Sequence, residues 1–487
     1  MISLKKFRSA HLVSLLWMAA AVACPGQTLT TIVSFDLTDG AAPGGALVQG
    51  LDGNLYGTTY DGGIDGPHGT GTVFKTTASG SLTTLFNFCA VRSHCRTGSR
   101  PGVGLALGVS GSLYGTTGTG GVNQDGTVFR ISAAGKHTTM YSFCAKTSCA
   151  DGGLPYGLVQ GLGGPWFGVT ELGGAGNQGT VFKMTPRGVL STIYSFCIQG
   201  GSCTDGAEPL GTLTSAADGK FYGTTSGGLV NWGTVFKITS DGALTTLYSF
   251  CAQTNCSDGA YPMAGLIQAT DGSFYGTTSG GGDIEFCSGG CGTVFRITSS
   301  STLTTLYTFC EESNCVDGGG PSALIQATDG NLYGTTNGGG AQNQGTIFRI
   351  TPSGSLTTLY SFCSQQNCAD GNQPAAGLFQ ATDGNLYGTT TLGGTHSDGT
   401  VFKFSIGLDP FVQALPSAGI VGGGVKILGQ GLTGTTTVSF NGFAANFVVQ
   451  SDTYMIATVP KGATTGFISV TTPDGVLTSN NQFRVLQ

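Results

Sequence analysis

A repeat of about 53 to 58 residues runs through most of this 487-residue chain and constrains its fold more than any other feature. Its marker is the motif G-T-V/I-F-K/R, preceded in six copies by Y-G-T-T and in the third by F-G-V-T at Phe167–Thr170. The motif begins at Gly71, Gly126, Gly179, Gly233, Gly292, Gly345 and Gly399. A fixed period of this length is typical of propellers and other repeat architectures.

Each repeat contains four short runs with the composition of β-strands. Threonine, aromatic and β-branched residues dominate these runs, and no 3.6-residue apolar period appears. In the fifth repeat the runs are Gly265–Ala269, Phe274–Thr278, Thr293–Thr298 and Thr302–Phe309, with a D-G pair between the first two. Because D-G favours a tight two-residue hairpin, four antiparallel strands per repeat predict one blade of a β-propeller.

The number of strands in each repeat predicts how the ring of blades closes. The run L-T-T-x-Y-S-F follows the first six G-T-V-F motifs, but after the seventh the chain leaves the repeat at Ser405–Gly407. A stray copy, Leu29–Phe35, lies ahead of the first blade. We therefore predict an all-β fold with a seven-bladed propeller over residues 28–407, in which residues 29–35 complete the seventh blade with 399–405 and no edge strand stays unpaired.

Residues 409–487 have a different pattern. This segment contains no cysteine and carries short alternating strands such as Val425–Gly431 and Gly466–Thr472. The strand lengths and the segment size predict a β-sandwich of immunoglobulin size after the propeller.

The N-terminus has the layout of a secretory signal peptide. Lys5, Lys6 and Arg8 precede an apolar run, Leu12–Ala23, that ends in small residues. We predict a signal peptide over residues 1–23 and an exported protein, either secreted or held at the cell surface. Cys24 follows directly, which leaves open a lipoprotein acylated at that residue. No second apolar run of about 18 residues exists, so we predict no transmembrane segment.

The cysteines agree with export. Apart from Cys24 they form seven close pairs, an even number that indicates disulfides, whereas a zinc site would need clustered pairs or histidine partners and the histidines are scattered. Each pair should close a short local loop and stabilise the fold by only about 2 kcal/mol, without bracing distant parts of the chain. The pairs are Cys89/Cys95, Cys144/Cys149, Cys197/Cys203, Cys251/Cys256, Cys287/Cys291, Cys310/Cys315 and Cys363/Cys368.

The scarcity of charge excludes several classes of partner. Only 9% of residues are charged and the net charge is -6, without a basic run. Such a chain offers little to a nucleic-acid backbone or to lipid headgroups. We predict no nucleic-acid partner, no cofactor and a monomeric protein.

Variable polar and aromatic tips on the Gly-rich loops inside the blades are the candidate ligand-binding residues. Irregular loops on rigid strands are how repeat scaffolds bind ligands, and Trp232 is suited to stack on a sugar ring. The alternative is that these side chains are solvated surface residues of the loops and bind no ligand. The candidates are Asp65, His68, Asn123, Asp125, Asn177, Asn231, Trp232, Asp283, Asn343, His396 and Asp398.

Two further sets recur around the ring, and we interpret both as structural. A basic residue on the third strand of each blade is expected to pair with the aspartate of a D-G turn rather than to bind an anion. An aspartate in six of the seven D-G-x-x-P loops, with Thr97 as the exception, could hold calcium, but Asp-Gly followed by Pro is also turn chemistry, so we predict no metal site. The basic residues are Lys75, Arg130, Lys183, Lys237, Arg296, Arg349 and Lys403, and the aspartates are Asp39, Asp151, Asp205, Asp258, Asp317 and Asp370.

No catalytic motif is present. The chain has no nucleophile elbow, no H-E-x-x-H and no P-loop, and we predict no catalytic residues. An exported binding or adhesion protein that recognises a glycan or a cell-surface ligand through the loop-rich face is the favoured function. A polysaccharide lyase or hydrolase using residues of the same face is the alternative, because propeller active sites are assembled from loops of different blades. Charged groups with perturbed pKa values around the axis would favour the enzyme.

The repeated D-G-N-L-Y-G-T-T, G-T-V-F-K-I-T and L-T-T-L-Y-S-F segments resemble the GloVer tandem-repeat proteins, also called choice-of-anchor repeat proteins, from about Thr28 to Ser405. This resemblance implies an exported bacterial protein displayed through a C-terminal module, and it supplies no catalytic residue. The C-terminal region resembles an IPT/TIG domain. That second resemblance rests on Gly424–Gly431, Val438–Asn441, Val459–Pro460 and Gly466–Thr472, with a hairpin turn at Pro473–Gly475.

Overall fold

The computed structural model describes residues 27–64, 69–90, 95–198, 201, 203–228, 232–282, 287 and 289–486, which form an all-β protein. Within these ranges, no helix is long and apolar enough to cross a membrane. Several predictions fall on residues outside them: the signal peptide over 1–23, Cys24, and the candidates Asp65, His68, Asn231 and Asp283.

The strands of the repeats are short, mostly of five or six residues in the outer positions. In chain order they are β1 (Thr28–Ser34), β2 (Val48–Gln49), β3 (Leu55–Thr59), β4 (Thr72–Thr76), β5 (Leu82–Asn87), β6 (Ala106–Leu107), β7 (Leu113–Thr117), β8 (Thr127–Ile131), β9 (His137–Ser142), β10 (Gly153–Gln160), β11 (Trp166–Leu172), β12 (Thr180–Met184), β13 (Leu190–Ser195), β14 (Thr214–Ser215), β15 (Phe221–Thr225), β16 (Thr234–Ile238), β17 (Leu244–Ser249), β18 (Ile267–Gln268), β19 (Phe274–Thr278), β20 (Thr293–Ile297), β21 (Leu303–Thr308), β22 (Gly319–Pro321), β23 (Ile325–Gln326), β24 (Leu332–Gly338), β25 (Thr346–Ile350), β26 (Leu356–Ser361), β27 (Phe379–Gln380), β28 (Leu386–Thr390) and β29 (Thr400–Ser405). Single 3-10 turns lie at Thr147–Cys149, Thr254–Cys256, Ser313–Cys315 and Gln366–Cys368.

These strands form seven antiparallel sheets among the described residues, one for each repeat. Sheets 1 to 5 contain β2–β5, β6–β9, β10–β13, β14–β17 and β18–β21, sheet 6 contains β22–β26, and sheet 7 contains β27–β29 together with β1. In each of the seven sheets, residues within or just before the first strand line one central cavity, so the arrangement is propeller-like.

The stray N-terminal strand completes sheet 7. β1 pairs antiparallel with β29 from Thr28 opposite Ser405 to Ser34 opposite Thr400. The backbone N–H of Phe35 then donates to the carbonyl of Gly399 at 3.0 Å, and the phenylalanine that ends each of the other outer strands makes the same bond to the motif glycine of its own sheet. The last sheet therefore has the same outer strand as the others, supplied from the opposite end of the repeats.

A glutamine on the inner strand ties each of five sheets to the sheet before it. In sheet 1, Gln49 Oε1 accepts a bond from the N–H of Thr382 in sheet 7 at 3.0 Å, and its Nε2 donates to the carbonyl of Gly53 in its own D-G turn at 3.2 Å. Gln160, Gln268, Gln326 and Gln380 make the same pair of bonds. Gln49 thus joins the first sheet to the last.

Six of the disulfides connect the end of an outer strand to the loop that enters the next sheet, and the Cys287–Cys291 disulfide lies in a Gly-rich loop within sheet 5. All seven predicted pairs are bonded, at sequence separations of 4 to 6 residues. The prediction of local disulfides is therefore confirmed, and seven disulfides indicate an exported protein.

The disulfide loops differ in length, and those closed by Cys95 and Cys203 are the longer ones. Both have a sequence separation of 6, whereas four other loops have a separation of 5 and a 3-10 turn that ends at the second cysteine. In three of these shorter loops the N–H of the first cysteine donates to a glycine carbonyl, as at Gly152. In the two longer loops it donates to a side chain instead, to Thr97 Oγ1 at 3.3 Å and to Asp205 Oδ2 at 3.0 Å. The additional residue thus changes the hydrogen bonds of the loops closed by Cys95 and Cys203.

The D-G turns do not pair with the basic residues of the third strands as expected. Within the described residues, Arg296 is the one such cation within 4.0 Å of a turn carboxylate, at 3.5 Å from Asp271. The tyrosine of Y-G-T-T instead donates its hydroxyl to the turn aspartate, at 2.8 Å between Tyr56 and Asp52. Asp218, Asp271, Asp329 and Asp383 accept the same bond from Tyr222, Tyr275, Tyr333 and Tyr387. The tyrosine lies only four residues from the turn aspartate in the sequence. Its hydroxyl therefore binds the carboxylate in place of the basic residue of the third strand.

The C-terminal residues form a separate core between two further sheets. Their strands are β30 (Gln413–Leu415), β31 (Ala418–Ile420), β32 (Gly424–Leu428), β33 (Thr437–Phe440), β34 (Phe443–Ala444), β35 (Phe447–Ser451), β36 (Tyr454–Thr458), β37 (Ile468–Thr472), β38 (Gly475–Thr478) and β39 (Arg484–Leu486). One sheet has the order β30-β32-β36-β35 and the other β34-β33-β37-β38, while β31 and β39 form a parallel pair. The core between them includes Val425, Ile427, Phe440, Met455 and Val470.

This C-terminal module lies against the D-G turn side of the sheets. Thr453 Oγ1 donates to the carbonyl of Leu51 at 2.7 Å, Lys426 Nζ donates to that of Val109 at 2.6 Å, and Arg484 donates to that of Ala217. The contacts reach sheets 1, 2 and 4. The module therefore faces one end of the central cavity, and the Gly-rich loops lie at the other end.

Closure by β1 can be tested with a single charge. Val33 is 6% exposed and packs with Phe35 and Phe74, whereas Thr30 on the same strand points to solvent. We expect Val33→Asp to lower the free energy of unfolding by about 3 kcal/mol or more, because it buries an unpaired charge. Thr30→Asp should leave the thermal midpoint nearly unchanged. Equal thermal midpoints for the two variants would contradict the contribution of β1.

His137 makes the stability of sheet 2 depend on pH. It occupies the place of a leucine in the other repeats, its ring stacks on Phe86 with centroids 4.1 Å apart, and burial lowers its pKa to about 4. The stability contributed by neutral His137 is present above the pKa of the unfolded chain, near 6.5, and is lost as the pH falls, because the unfolded chain then binds the proton first. His137→Leu should flatten the loss of thermal midpoint between neutral and mildly acidic pH. An unchanged slope would contradict this role.

Candidate functional site

Residues of all seven repeats line the central cavity. We call it the funnel; its volume is about 700 Å³, and its described lining contains no Asp, Glu, Lys, Arg or His. The wall is formed by small and apolar residues with a few neutral polar groups. It is lined by Gly44–Leu47, Gly102–Leu105, Tyr156, Leu158, Leu210–Thr212, Met263–Gly265, Ser279, Gly320–Ala323, Asn337 and Ala375–Gly377.

One position in each repeat places a variable side chain beside the funnel on a fixed backbone. It is the residue directly before the proline of the D-G-x-x-P loop, and it has a left-handed φ of 51 to 63° in every repeat. Its N–H donates, at 2.7 to 2.9 Å, to the carbonyl of the residue just before the motif glycine of the preceding sheet. These positions are Ala42, Arg100, Leu154, Glu208, Tyr261, Gly320 and Gln373.

Sequence reasoning missed these pre-proline positions. The aspartates of the same loops are nearly constant and were therefore considered first, whereas the residue directly before the constant Pro changes from repeat to repeat. Non-glycine residues held in the left-handed region cost free energy and persist where the surroundings fix them. Here two backbone bonds fix each one, so the side chain varies without changing the loop.

Exposed aromatic side chains lie in the loops that surround the funnel, and we call these loops the rim. Trp232 and Tyr261 meet edge to face with centroids 5.0 Å apart, and they are 44% and 38% exposed. The Arg100 guanidinium lies over the Tyr60 ring at 5.5 Å from its centroid. Met263, which is 52% exposed, lines the funnel beside Tyr261. The rim therefore offers flat apolar faces to a ligand.

Glu171, on β11, and Glu208, in the loop that leads into sheet 4, lie near each other beside this rim. Burial raises the pKa of Tyr156 to about 12, and the negative charge of the nearby Glu171 carboxylate adds to that rise. Burial raises the pKa of Glu171, the Tyr156 hydroxyl opposes that rise, and the nearby charge of Glu208 adds to it. Glu208 extends over Gly227, where a Cβ would lie 3.1 Å from its Oε2. Neither glutamate has a cationic side chain within 4.0 Å among the described residues.

The predicted ligand-binding residues that the structure describes fall into different environments. Trp232 lies on the rim, as above. Asn123 donates to the carbonyl of Phe143 at 2.9 Å, and Asn343 Oδ1 accepts from the N–H of Gly339 at 3.1 Å, so both hold their own loops. Asn177 adopts a left-handed turn with a φ of 53°. The carbonyl of Asp125 accepts the N–H of Leu154, which places it in the pre-proline set of bonds.

His396 and Asp398 lie together where sheet 7 meets sheet 1. This junction has no cysteine pair and instead holds Asp36 and Asp39. Burial raises the pKa of Asp39 to about 6 and raises that of Asp398, while hydrogen bonds from Thr38 lower the pKa of Asp36. The carboxylates order this loop through bonds to backbone N–H groups, such as that of Asp39 N–H to Asp36 Oδ1 at 3.2 Å.

The aspartates after the cysteine pairs act as turn residues. The Asp151 carboxylate is fully buried and accepts bonds from the Tyr141 hydroxyl at 2.7 Å and from the N–H groups of Ala145 and Lys146 at 2.9 and 3.0 Å. Hydrogen-bond donors, not oxygen ligands, surround it. Asp205, Asp258, Asp317 and Asp370 accept the equivalent tyrosine hydroxyl. This arrangement agrees with the interpretation of these residues as turn chemistry.

Several solved structures share the general arrangement of the chain at low sequence identity. The extracellular domains of two Bacteroides thetaiotaomicron proteins, provisionally assigned to a one-component and to a hybrid two-component system, are 11% and 12% identical to it. The alignments cover 94% and 92% of this chain and 57% and 53% of those domains, with TM-scores of 0.46 and 0.48. The chain thus spans little more than half of each domain.

A Mycobacterium tuberculosis puromycin-hydrolyzing peptidase is 12% identical over 84% of this chain and 62% of its own, with a TM-score of 0.45. No protein of curated function matches the sequence. The Gloeobacter/Verrucomicrobia repeat matches residues 20–160, 95–286 and 227–437, which together cover most of the chain. This match confirms the GloVer resemblance, and the chain belongs to the Gloeobacter/Verrucomicrobia repeat family.

Proposed function

We propose that the protein is an exported, non-catalytic binding or adhesion protein that recognises a glycan through the loop-rich end of the funnel. The observation that carries this proposal is the neutral funnel wall. An axial cavity of about 700 Å³ has the size of a ligand site, and its described lining lacks the Asp, Glu, Lys, Arg and His side chains on which most enzyme active sites depend. It is also bordered by the loops that vary most.

The wall chemistry suits a ligand with hydroxyl groups. Glycines such as Gly45, Gly104, Gly211 and Gly265 leave peptide groups uncovered, and these donate and accept hydrogen bonds as a sugar ring requires. Trp232 and Tyr261 supply flat rings on the rim for stacking. Neutral hydrogen-bonding groups combined with aromatic faces favour an uncharged carbohydrate over an anion.

The proposal rests on a particular architecture. The seven sheets form a seven-bladed β-propeller, and the C-terminal module is an IPT/TIG sandwich that serves as a spacer or second contact. Supporting observations are the contribution of every repeat to one cavity and the Gln49–Thr382 bond between the first and last sheets. Because the module faces the D-G turns, a ligand would enter from the loop side.

One observation favours a second function, a polysaccharide hydrolase or lyase. Glu171 and Glu208 lie near each other on the rim, and burial raises the pKa of Glu171. Pairs of carboxylates with separated pKa values carry out glycoside hydrolysis. The pair is outside the neutral wall, which is why binding remains the first proposal.

The binding function can be tested with a glycan array followed by titration of the hits. We expect Trp232→Ala to weaken binding by roughly tenfold or more, or about 1.4 kcal/mol, because an exposed aromatic anchor is lost. Phe443→Ala is the matched control, since Phe443 is 42% exposed on the C-terminal module. Equal losses in both variants would contradict recognition at the funnel rim.

The second function makes a different prediction for the same hits. A binding protein should leave each bound oligosaccharide intact over prolonged incubation, as followed by mass spectrometry of the products. Hydrolysis or elimination products from the wild type that disappear in Glu171→Gln would overturn the non-catalytic proposal and support the enzyme.

A further inference from the structure

The fifth repeat contains a cysteine pair that the other repeats lack. Cys287 and Cys291 are bonded to each other inside the Gly-rich loop of sheet 5, directly before the motif glycine Gly292. The other six disulfides lie at the connection from one sheet to the next, and after sheet 5 this is the Cys310–Cys315 disulfide. Repeat 5 is therefore the one repeat with two cysteine pairs.

The two disulfides of repeat 5 lie against each other. The sulfur atoms of Cys287, Cys291, Cys310 and Cys315 all lie within 4.8 Å of one another. Cys291 and Cys310 are 2% and 0% exposed and belong to the buried core between sheets 5 and 6, whereas Cys287 and Cys315 are partly buried at its edge. Among the described residues, no other group of this kind joins the cysteines of two disulfides.

This proximity favours the exchange of partners between the two disulfides. A thiolate attacks one sulfur atom of a disulfide, forms a new S–S bond and releases the other sulfur atom as a thiolate. In repeat 5, a thiolate released from one disulfide has the other disulfide within 4.8 Å. Reacting groups that a scaffold holds together react faster than separate molecules, because the entropy of bringing them together is already lost.

We propose that these two disulfides form a thiol–disulfide exchange site whose reaction partner is a small-molecule thiol. The thiolate of the small molecule bonds to the partly exposed Cys315, and the S–S bond to Cys310 breaks. The Cys310 thiolate then bonds to Cys291, which releases Cys287 as a thiolate. Cys287 finally bonds to Cys315 and releases the small thiol, so the chain is neither oxidised nor reduced.

The exchange replaces two local loops with two cross-links. Cys291–Cys310 and Cys287–Cys315 bonds join the Gly-rich loop of sheet 5 to the connection into sheet 6 and enclose longer segments than the original pairs. In the loop-entropy model, a longer enclosed segment constrains the unfolded chain more strongly. The N–H of Gly320, which lines the funnel, donates to the carbonyl of Cys291 at 2.9 Å. The exchange site thus adjoins the funnel wall, and its chemistry is independent of any ligand bound there.

Tryptic cleavage after Arg296 separates the two disulfides and provides the first test. In the original pairing, the peptides 238–296 and 297–349 stay apart, and the next peptide, 350–403, carries a disulfide of its own. The folded full chain is incubated with a catalytic amount of reduced glutathione, quenched with acid, alkylated with a maleimide in denaturant and digested. Linked peptides are then measured by mass spectrometry.

We expect 297–349 to become linked to 238–296 at least about tenfold more often than to 350–403, because proximity directs the exchange. Equal linkage to the two peptides would indicate random scrambling and overturn the exchange site. The absence of any linkage between 238–296 and 297–349 would overturn it as well.

A single substitution tests the central step without an added thiol. In Cys287→Ser, the thiol of Cys291 stays beside the Cys310–Cys315 disulfide. We expect Cys291 to bond to Cys310 in the folded chain, so that the maleimide labels Cys315. Labelling of Cys291 itself would contradict the exchange, and so would a Cys291–Cys310 bond that forms only after the chain is denatured.

Cys363→Ser is the matched control. It frees Cys368 in a loop of the same length as the Cys310–Cys315 loop, and the described residues place no second disulfide beside it. The maleimide should therefore label Cys368. Transfer of the free thiol to another cysteine in this variant would show that exchange is general in the chain and would overturn a site specific to repeat 5.

Discussion

The pairing of β1 with β29 is the contact on which the rest of the structure depends, because it gives the last repeat the outer strand that its own sequence lacks. Without it, sheet 7 would expose the open edge of β29, and sheet 1 would lose the packing of Phe35 against Phe74. The Gln49–Thr382 bond depends on the same closure. Strands far apart in the sequence thus hold the ring, whereas the disulfides stabilise only the local loops.

A scaffold closed in this way leaves its loops free to vary. Each pre-proline residue is fixed by the backbone, through an N–H bond to the preceding sheet, so its side chain contributes nothing to the turn. The same φ is therefore compatible with Ala42, Arg100, Glu208 and Tyr261. The repeats place equivalent backbone positions around the funnel, and the chemical differences between these positions come from their side chains.

Much of the fold could be predicted from the sequence, because counting L-T-T strands against G-T-V-F motifs is enough to assign β1 to sheet 7. The disulfides followed from cysteine spacing in the same way. The candidate site was harder to predict from the sequence than the fold. Nothing in the local pattern around Glu171 and Glu208 shows that they lie near each other, because one belongs to sheet 3 and the other to the loop that leads into sheet 4. The turn aspartates were assigned the wrong partners because a tyrosine hydroxyl four residues away competes with a cation on another strand.

The irregular repeat is the most informative part of a nearly symmetric protein. Seven equal repeats would produce a funnel with the same groups on every side, and such a cavity has no preferred orientation for an asymmetric ligand. The extended β10, with its bulge between Tyr156 and Val159, breaks this symmetry in the third repeat, so one side of the funnel differs from the others in backbone as well as in side chains.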